Sequence, residues 1–226
     1  MIFTKPLLLG HRGSPHQAKE NTLESFRRAL EAGLDGLELD LHRTRDGVLA
    51  IYHDFELEGQ PIASLDWPTL QQRAPWMPRL EQVFELAQEF PQAWLNLELK
   101  SQPGPSDGRE ALLVQALQAW PGRARAWISS FDPLALIRLH RLGVGVPLAL
   151  LYAEPEMEEL APCLPLQGVH PHFALLGQGK VAQLKARGWF VVTWTVNQAT
   201  RVQELLQWGV DGVIGDLPHQ LFSGRH

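Results

Sequence analysis

Cysteine is almost absent from this sequence: Cys163 is the only one in 226 residues. An internal disulfide and a zinc site built from several cysteines are therefore both excluded. Long apolar runs are absent too, because no stretch reaches the 18 or so uncharged apolar residues of a membrane-spanning helix. The first residues also lack the long apolar core of a signal peptide. From these absences we expect a soluble, cytoplasmic protein.

Positive charge is also in short supply, since 20 lysines and arginines stand against 25 aspartates and glutamates, for a net charge of -5. This balance argues against a general nucleic-acid binder and against binding to anionic membranes. Apolar residues make up 45% of the chain, which is enough for a substantial core. Because (β/α)8 barrels of roughly 250 residues form one domain, we expect a single domain over residues 1–226.

What the sequence does contain is a regular alternation of strand and helix patterns. A helix is predicted to begin at Asn21, a good N-cap with Glu24 three residues later, and to end at Gly33. Eight strand patterns, each followed by a helical pattern, lie at residues 6–9, 36–42, 93–100, 126–130, 146–152, 168–170, 189–196 and 212–216. The count predicts an α/β fold, a (β/α)8 TIM barrel. A β-hairpin at residues 45–52 and a short irregular insertion, about residues 54–79, are expected after the second barrel strand.

Two of the predicted strands carry charged residues on alternate positions. Glu38 and Asp40 share one face of the second strand, and Glu98 and Lys100 share one face of the third. In an antiparallel sheet such a face would be solvated, but strands of a parallel barrel are buried on both sides. Buried carboxylates side by side need a cation or a proton, and catalytic groups of TIM barrels project from strand ends.

Glu38, Asp40 and Glu98 form an all-oxygen ligand set that suits Mg²⁺, Ca²⁺ or Mn²⁺ better than zinc. Their three negative charges exceed by one the positive charges of Arg12 and Lys100. A divalent cation together with a phosphodiester anion brings the total to zero. The alternative, on the residues alone, is a salt-bridge cluster at the end of the barrel that holds no ion.

The first strand ends in Gly10, His11, Arg12 and Gly13. The glycines permit a sharp turn and close approach of a ligand, while Arg12 is suited to bind an anion. His53 follows the hairpin strand, so two imidazoles that titrate near neutrality are delivered to strand ends. The alternative is an ordinary strand end whose side chains are only solvated.

In combination, these motifs resemble the glycerophosphodiester phosphodiesterase family. The resemblance runs in order from Leu9 to Pro218 and rests on the segments GHRG at 10–13, ENT at 20–22, ELD at 38–40, DG at 46–47, HD at 53–54, ELK at 98–100, SF at 130–131, WTVN at 194–197 and DGVIGD at 211–216. It implies a TIM barrel that hydrolyses glycerophosphodiesters to glycerol 3-phosphate and an alcohol. It further implies a divalent cation on Glu38, Asp40 and Glu98, acid–base roles for His11 and His53, phosphate contacts from Arg12 and Lys100, and a glycerol side lined by Phe131 and Trp194.

One segment departs from the family pattern. After the His-Asp pair, members of the family usually carry an arginine- and threonine-bearing stretch and a longer insertion, and residues 55–60 lack both. The resemblance therefore does not indicate which alcohol is preferred. Two other functions stay open at this point: a phospholipase similar to the phosphatidylinositol-specific or sphingomyelinase-D-like enzymes, and a barrel that binds a phosphorylated ligand without catalysis.

Overall fold

Eight parallel strands close on one another in the computed structural model, which describes residues 3–102 and 104–225. The strands are β1 (Leu7–His11), β2 (Gly36–Arg43), β3 (Leu49–Ile51), β4 (Glu56–Leu57), β5 (Gln60–Pro61), β6 (Trp94–Leu99), β7 (Ala126–Ser130), β8 (Leu148–Tyr152), β9 (Gly168–Pro171), β10 (Phe190–Thr193) and β11 (Gly212–Gly215). The barrel runs β1, β2, β6, β7, β8, β9, β10, β11, and β1 pairs with both β2 and β11. The predicted (β/α)8 TIM barrel is confirmed.

Helices lie between successive barrel strands and after the last. They are α1 (Leu23–Glu31), α2 (Trp67–Arg73), α3 (Leu80–Glu89), α4 (Arg109–Ala119), α5 (Pro133–Arg141), α6 (Gln178–Ala186), α7 (Ala199–Gln207) and α8 (Pro218–Arg225), with 3-10 helices at Ile62–Ser64, Pro121–Arg125, Pro155–Cys163 and Phe173–Leu175. Between β8 and β9 the connecting helix is of the 3-10 type, Pro155–Cys163. Within the part of the chain that the structure describes, no helix is both long enough and apolar enough to cross a membrane.

The alternation along β2 separates two environments. Leu37, Leu39 and Leu41 pack in the apolar layer between the sheet and its helices, so Glu38 and Asp40 point towards the barrel axis. Apolar side chains fill the opposite, N-terminal end of the interior: Leu7, Leu9, Trp127, Phe190, Val192 and Ile214. Phe3 closes that end, with its ring edge-to-face on Trp94, Trp127 and Phe190. Polar groups are therefore concentrated at the C-terminal end of the barrel.

The insertion after β3 is more ordered than predicted. Its β4–β5 hairpin and α2 enclose a small apolar cluster of their own, formed by Ala50, Leu57, Ile62, Leu65, Leu70, Ala74 and Met77. The insertion is thus present where it was predicted, and its short elements are held together by this apolar cluster.

The predicted N-cap of α1 is also wrong by one residue. Thr22 has the extended backbone of a cap, and its Oγ1 accepts a hydrogen bond from the Ser25 N–H at 3.1 Å. Asn21 instead has a φ of 55°, and its side chain turns towards Asp40. The helix therefore begins one residue later than the capping pattern indicated.

Candidate active site

The predicted site residues lie at the C-terminal end of the barrel. Glu38 and Asp40, within β2, are in register with His11 at the end of β1 and Glu98 near the end of β6, and His53 lies just beyond β3. His11, Glu38, Asp40 and Glu98 lie on β1, β2 and β6, while Lys100, Phe131 and Trp194 follow β6, β7 and β10 directly. His53 follows Tyr52, whose N–H donates to the carbonyl oxygen of Asp40 at 3.1 Å. β1 and β3 pair with the same edge of β2, β1 through residues up to Glu38 and β3 from Leu41 onward, while β6 occupies the other edge, so both histidines lie along one edge of the strand that carries Glu38 and Asp40.

The three carboxylates predicted as metal ligands form one buried cluster. Glu38, Asp40 and Glu98 are 3%, 1% and 9% exposed, and one oxygen from each lies within 4.8 Å of the others. Burial, Asp40 and Glu98 raise the pKa of Glu38 well above its ordinary value, and burial and Asp40 likewise raise the pKa of Glu98. Glu38 Oε1 is buried and finds no hydrogen-bond partner among the described residues. An oxygen cluster with an unused buried acceptor has the chemistry that a divalent cation requires.

Two cations border this cluster. Lys100 Nζ lies 3.0 Å from Glu98 Oε1 and 3.5 Å from Asp40 Oδ1. Arg12 Nε lies 3.3 Å from Asp40 Oδ2, and its terminal nitrogen donates to Glu20 Oε1 at 3.0 Å. Burial alone would lower the pKa of each cation, but the neighbouring carboxylates outweigh it and raise both pKa values above their ordinary range. Arg12 and Lys100 are therefore charged and held beside the carboxylates.

The turn after β1 aims His11 and Arg12 at this cluster. Gly13 has a φ of 92°, and a Cβ there would lie 2.4 Å from Ser25 Oγ, so only glycine fits this turn without strain. The Gly13 N–H donates back to the Gly10 carbonyl oxygen at 3.2 Å. Arg12 itself adopts a φ of 54°. This backbone conformation is stabilised by a hydrogen bond that the Arg12 N–H donates to Glu38 Oε2 at 3.1 Å.

His11 is oriented by a carboxylate that sequence reasoning did not assign. Its Nδ1 donates to Asp216 Oδ1 at 2.7 Å, and Asn197 Nδ2 donates to Asp216 Oδ2 at 2.6 Å. Burial opposes ionisation of Asp216, but the hydrogen bonds from His11 and Asn197 outweigh it and lower the pKa of that carboxyl. An ionised Asp216 fixes the proton of His11 on Nδ1. His11 Nε2 is thus left facing the carboxylates, 3.9 Å from Glu38 Oε2.

His53 has the same arrangement at a more exposed position. Its Nδ1 donates to Asp54 Oδ1 at 2.7 Å, so Nε2 is the ring nitrogen available for proton transfer. Below it, His42 Nε2 donates to the His53 carbonyl oxygen at 3.3 Å. Burial lowers the pKa of His42 to about 4, so His42 is a neutral support for the His53 backbone.

Aromatic residues line the side of the mouth away from β1 and β2. The rings of Phe131 and Trp194 meet edge-to-face, with their centroids 5.5 Å apart. Trp194 is fixed by its Nε1, which donates to the His170 carbonyl oxygen at 2.8 Å. Phe131 is 41% exposed, so this pair presents an apolar surface next to the polar cluster. The structure therefore places side by side the two aromatic residues that the family resemblance assigned to the glycerol side.

Two functional candidates lie in segments that carry the family resemblance, but they were given no role from the sequence. Asp216 comes directly after β11, so the strand-end rule that selected Glu38 and Glu98 would have selected it as well. Asn197, four residues beyond β10, closes the WTVN segment, but its contact with Asp216 depends on the loop between β10 and α7 and could not be read from the segment.

The site thus combines a buried carboxylate cluster with two histidines that are each bound to a carboxylate. Nearly the whole chain also matches one protein family. The model of the glycerophosphoryl diester phosphodiesterase family matches residues 11–220. The chain belongs to this family. The resemblance seen in the sequence motifs is thereby confirmed.

Two relatives and one solved structure are similar to the chain over nearly its full length. The glycerophosphodiester phosphodiesterase of Caldanaerobacter subterraneus subsp. tengcongensis is 30% identical over 241 residues, which cover 97% of each protein. That of Bacillus altitudinis is 29% identical, over 96% of this chain and 97% of the relative. A solved phosphodiesterase from Oleispira antarctica, in complex with the product sn-glycerol-3-phosphate, has a TM-score of 0.88 at 28% identity, covering 98% of this chain and 97% of that one.

Proposed function

We propose that this protein hydrolyses glycerophosphodiesters to glycerol 3-phosphate and an alcohol, with the help of a divalent cation. The observation that carries the proposal is the cluster of Glu38, Asp40 and Glu98 beside two histidines whose Nδ1 atoms are each bound to a carboxylate. Such a pair of imidazoles supplies an acid and a base on two sides of one reacting group. The family of the chain and the product held by the Oleispira antarctica phosphodiesterase support the same substrate class.

The two histidines divide the proton transfers of the reaction. With Nδ1–H given to Asp216, His11 accepts or donates a proton only at Nε2, and Asp54 imposes the same restriction on His53. One imidazole takes the proton of the attacking oxygen, and the other gives a proton to the oxygen of the departing alcohol. Because Asp216 is held by Asn197, His11 is the more rigidly oriented of the two.

Glu38, Asp40 and Glu98 would hold the cation, which supplies positive charge to the phosphodiester oxygens. Arg12 and Lys100 add two positive charges from the protein itself, placed within 3.5 Å of Asp40. Arginine binds phosphate oxygens in pairs, whereas lysine acts as a point charge. The two side chains thus orient and neutralise the phosphodiester, and Phe131 with Trp194 packs against the carbon atoms of the glycerol.

We predict that chelation abolishes activity. With glycerophosphocholine, glycerophosphoethanolamine and glycerophosphoglycerol as substrates, release of glycerol 3-phosphate is expected to stop in excess chelator. Addition of Mg²⁺, Mn²⁺ or Ca²⁺ is expected to restore it, because without a cation the anionic substrate meets three buried carboxylates. Full activity in excess chelator would contradict the assignment of a cation to this cluster.

The same assay separates the other functions that the sequence left open. A phospholipase-like enzyme would hydrolyse phospholipids in liposomes, and a binding-only barrel would retain the glycerophosphodiester without turnover. We expect release of glycerol 3-phosphate from the three soluble substrates and none of the phospholipase products from liposomes of phosphatidylinositol or sphingomyelin.

A second prediction concerns the stability of the protein in chelator. Since the pKa of Glu38 is raised in the folded protein above its value of 4.5, the folded state binds more protons than the unfolded state between those two pKa values. Stability should therefore fall as the pH rises through this window, by about 1.4 kcal/mol for each unit of the shift. Glu38→Gln removes this loss, so the variant is expected to be more stable than the wild type at pH 8 but not at pH 4.

Urea unfolding in chelator at the two pH values measures the effect. Glu85→Gln, an exposed glutamate on α3, is the matched control and should follow the wild type at both. A stability difference between Glu38→Gln and the wild type that is the same at pH 4 and pH 8 would show that Glu38 does not carry the raised pKa.

A further inference from the structure

Asn21 is a buried polar residue in a backbone conformation that few residues adopt. Its side chain is 1% exposed, and its φ is 55°. Asparagine is one of the few residues other than glycine that adopt this region readily. Its backbone N–H donates to the Arg12 carbonyl oxygen at 3.0 Å, so the loop between β1 and α1 closes on itself and places Asn21 beside Arg12.

The side chain of Asn21 holds one oxygen of Asp40. Its Nδ2 donates to Asp40 Oδ2 at 2.8 Å, and its Oδ1 accepts from the Asp40 N–H at 3.4 Å. Arg12 Nε lies 3.3 Å from the same Oδ2. The other oxygen, Oδ1, lies on the side of Lys100, whose Nζ is 3.5 Å away and also contacts Glu98.

Helix capping does not explain this residue. Thr22 already fills the cap of α1, and no bond from the Asn21 side chain to the helix is among the described contacts. A structural role at the helix end would need only a small polar side chain, whereas the amide of Asn21 reaches across to a neighbouring barrel strand.

We propose that Asn21 is a positioning residue, which fixes the carboxylate of Asp40 so that Oδ1 faces the cation assigned to Glu38, Asp40 and Glu98. This inference rests on the proposed function, because it concerns the same cation. Hydrogen-bond partners of metal-ligating side chains set the orientation of the ligand, and their loss typically weakens metal binding by about 10–100-fold. Asn21 therefore acts through Asp40 and not on the substrate.

The test is the binding of Mn²⁺ alone to the full-length protein, measured by isothermal titration calorimetry. Asn21→Gly removes the amide and keeps a residue that accepts positive φ, so its Kd for Mn²⁺ is expected to rise by about 10–100-fold. Turnover should fall by a similar factor at limiting Mn²⁺ and recover at saturating Mn²⁺. Thr22→Ala, which removes the adjacent helix cap and does not touch Asp40, is the control for a loss of stability and should bind Mn²⁺ within about twofold of the wild type.

Each outcome decides the matter. If Asn21→Gly loses thermal stability but binds Mn²⁺ within about twofold of the wild type, Asn21 is only structural. If the glycine variant does not fold, Asn21→Ala lacks the same donor and is judged by the same factor. Failure of the wild type to bind Mn²⁺, Mg²⁺ or Ca²⁺ would instead overturn the cation of the proposed function, and this inference with it.

Discussion

Replacing either His11 or His53 with alanine is expected to lower kcat by at least about 100-fold, and by up to about 10⁴-fold, because each variant loses one proton transfer of the reaction. The double variant should lose far less than the product of the two factors, because the residues act as a unit. Initial rates of glycerol 3-phosphate release at saturating substrate and cation measure the effect.

A control is available in the same chain. His140 is an exposed histidine on α5, and His140→Ala is expected to keep wild-type kcat. Thermal unfolding of all four variants separates loss of chemistry from loss of fold. If kcat of His11→Ala or His53→Ala stays near that of the wild type while His140→Ala behaves as expected, the affected histidine has a structural role.

The sequence predicted the structure well where side chains alternate regularly along a strand. Alternation along residues 36–42 and 93–100 placed Glu38, Asp40 and Glu98 on inward faces, and the register Asp40–Glu98 brings two of them together. Strand limits were predicted to within a few residues, because apolar runs between helix patterns are well marked. The barrel itself followed from the count of strands, since parallel strands joined by helices have few closed arrangements.

Contacts between distant parts of the chain were not predictable in the same way. His11 and Asp216 are 205 positions apart, and only closure of β1 on β11 brings them together. The choice between Asn21 and Thr22 as helix cap depended on which residue takes positive φ, and both are good caps by type. Similarly, α2 lies in an insertion whose apolar residues pack against Ala50 of β3. The sequence of α2 therefore shows no long amphipathic pattern.

A further large effect is expected when the 2-hydroxyl of the substrate glycerol is replaced by hydrogen. The attacking oxygen that loses its proton to a histidine belongs either to water or to this hydroxyl. In the second case the hydroxyl oxygen forms a bond to phosphorus, the alcohol leaves with a proton from the other histidine, and a cyclic phosphate remains. Water then opens the ring, with the two histidines in exchanged roles, and glycerol 3-phosphate is released.

The cyclic route is favoured because a hydroxyl held next to phosphorus has an effective concentration of about 10⁵ M or more, which a water molecule must match by positioning alone. Two imidazoles that each present only Nε2 are also suited to exchanging the roles of acid and base between two steps.

We therefore expect the 2-deoxy substrate to bind, as competitive inhibition will show, and to turn over more than about 100-fold more slowly than the natural one. A bis-aryl phosphate should also react slowly once its better leaving group is allowed for. Phosphorus NMR of single turnovers with the natural substrate should reveal the cyclic phosphate. Turnover of the 2-deoxy substrate within about tenfold of the natural one would mean that water attacks directly, and His11 and His53 would then serve a single step.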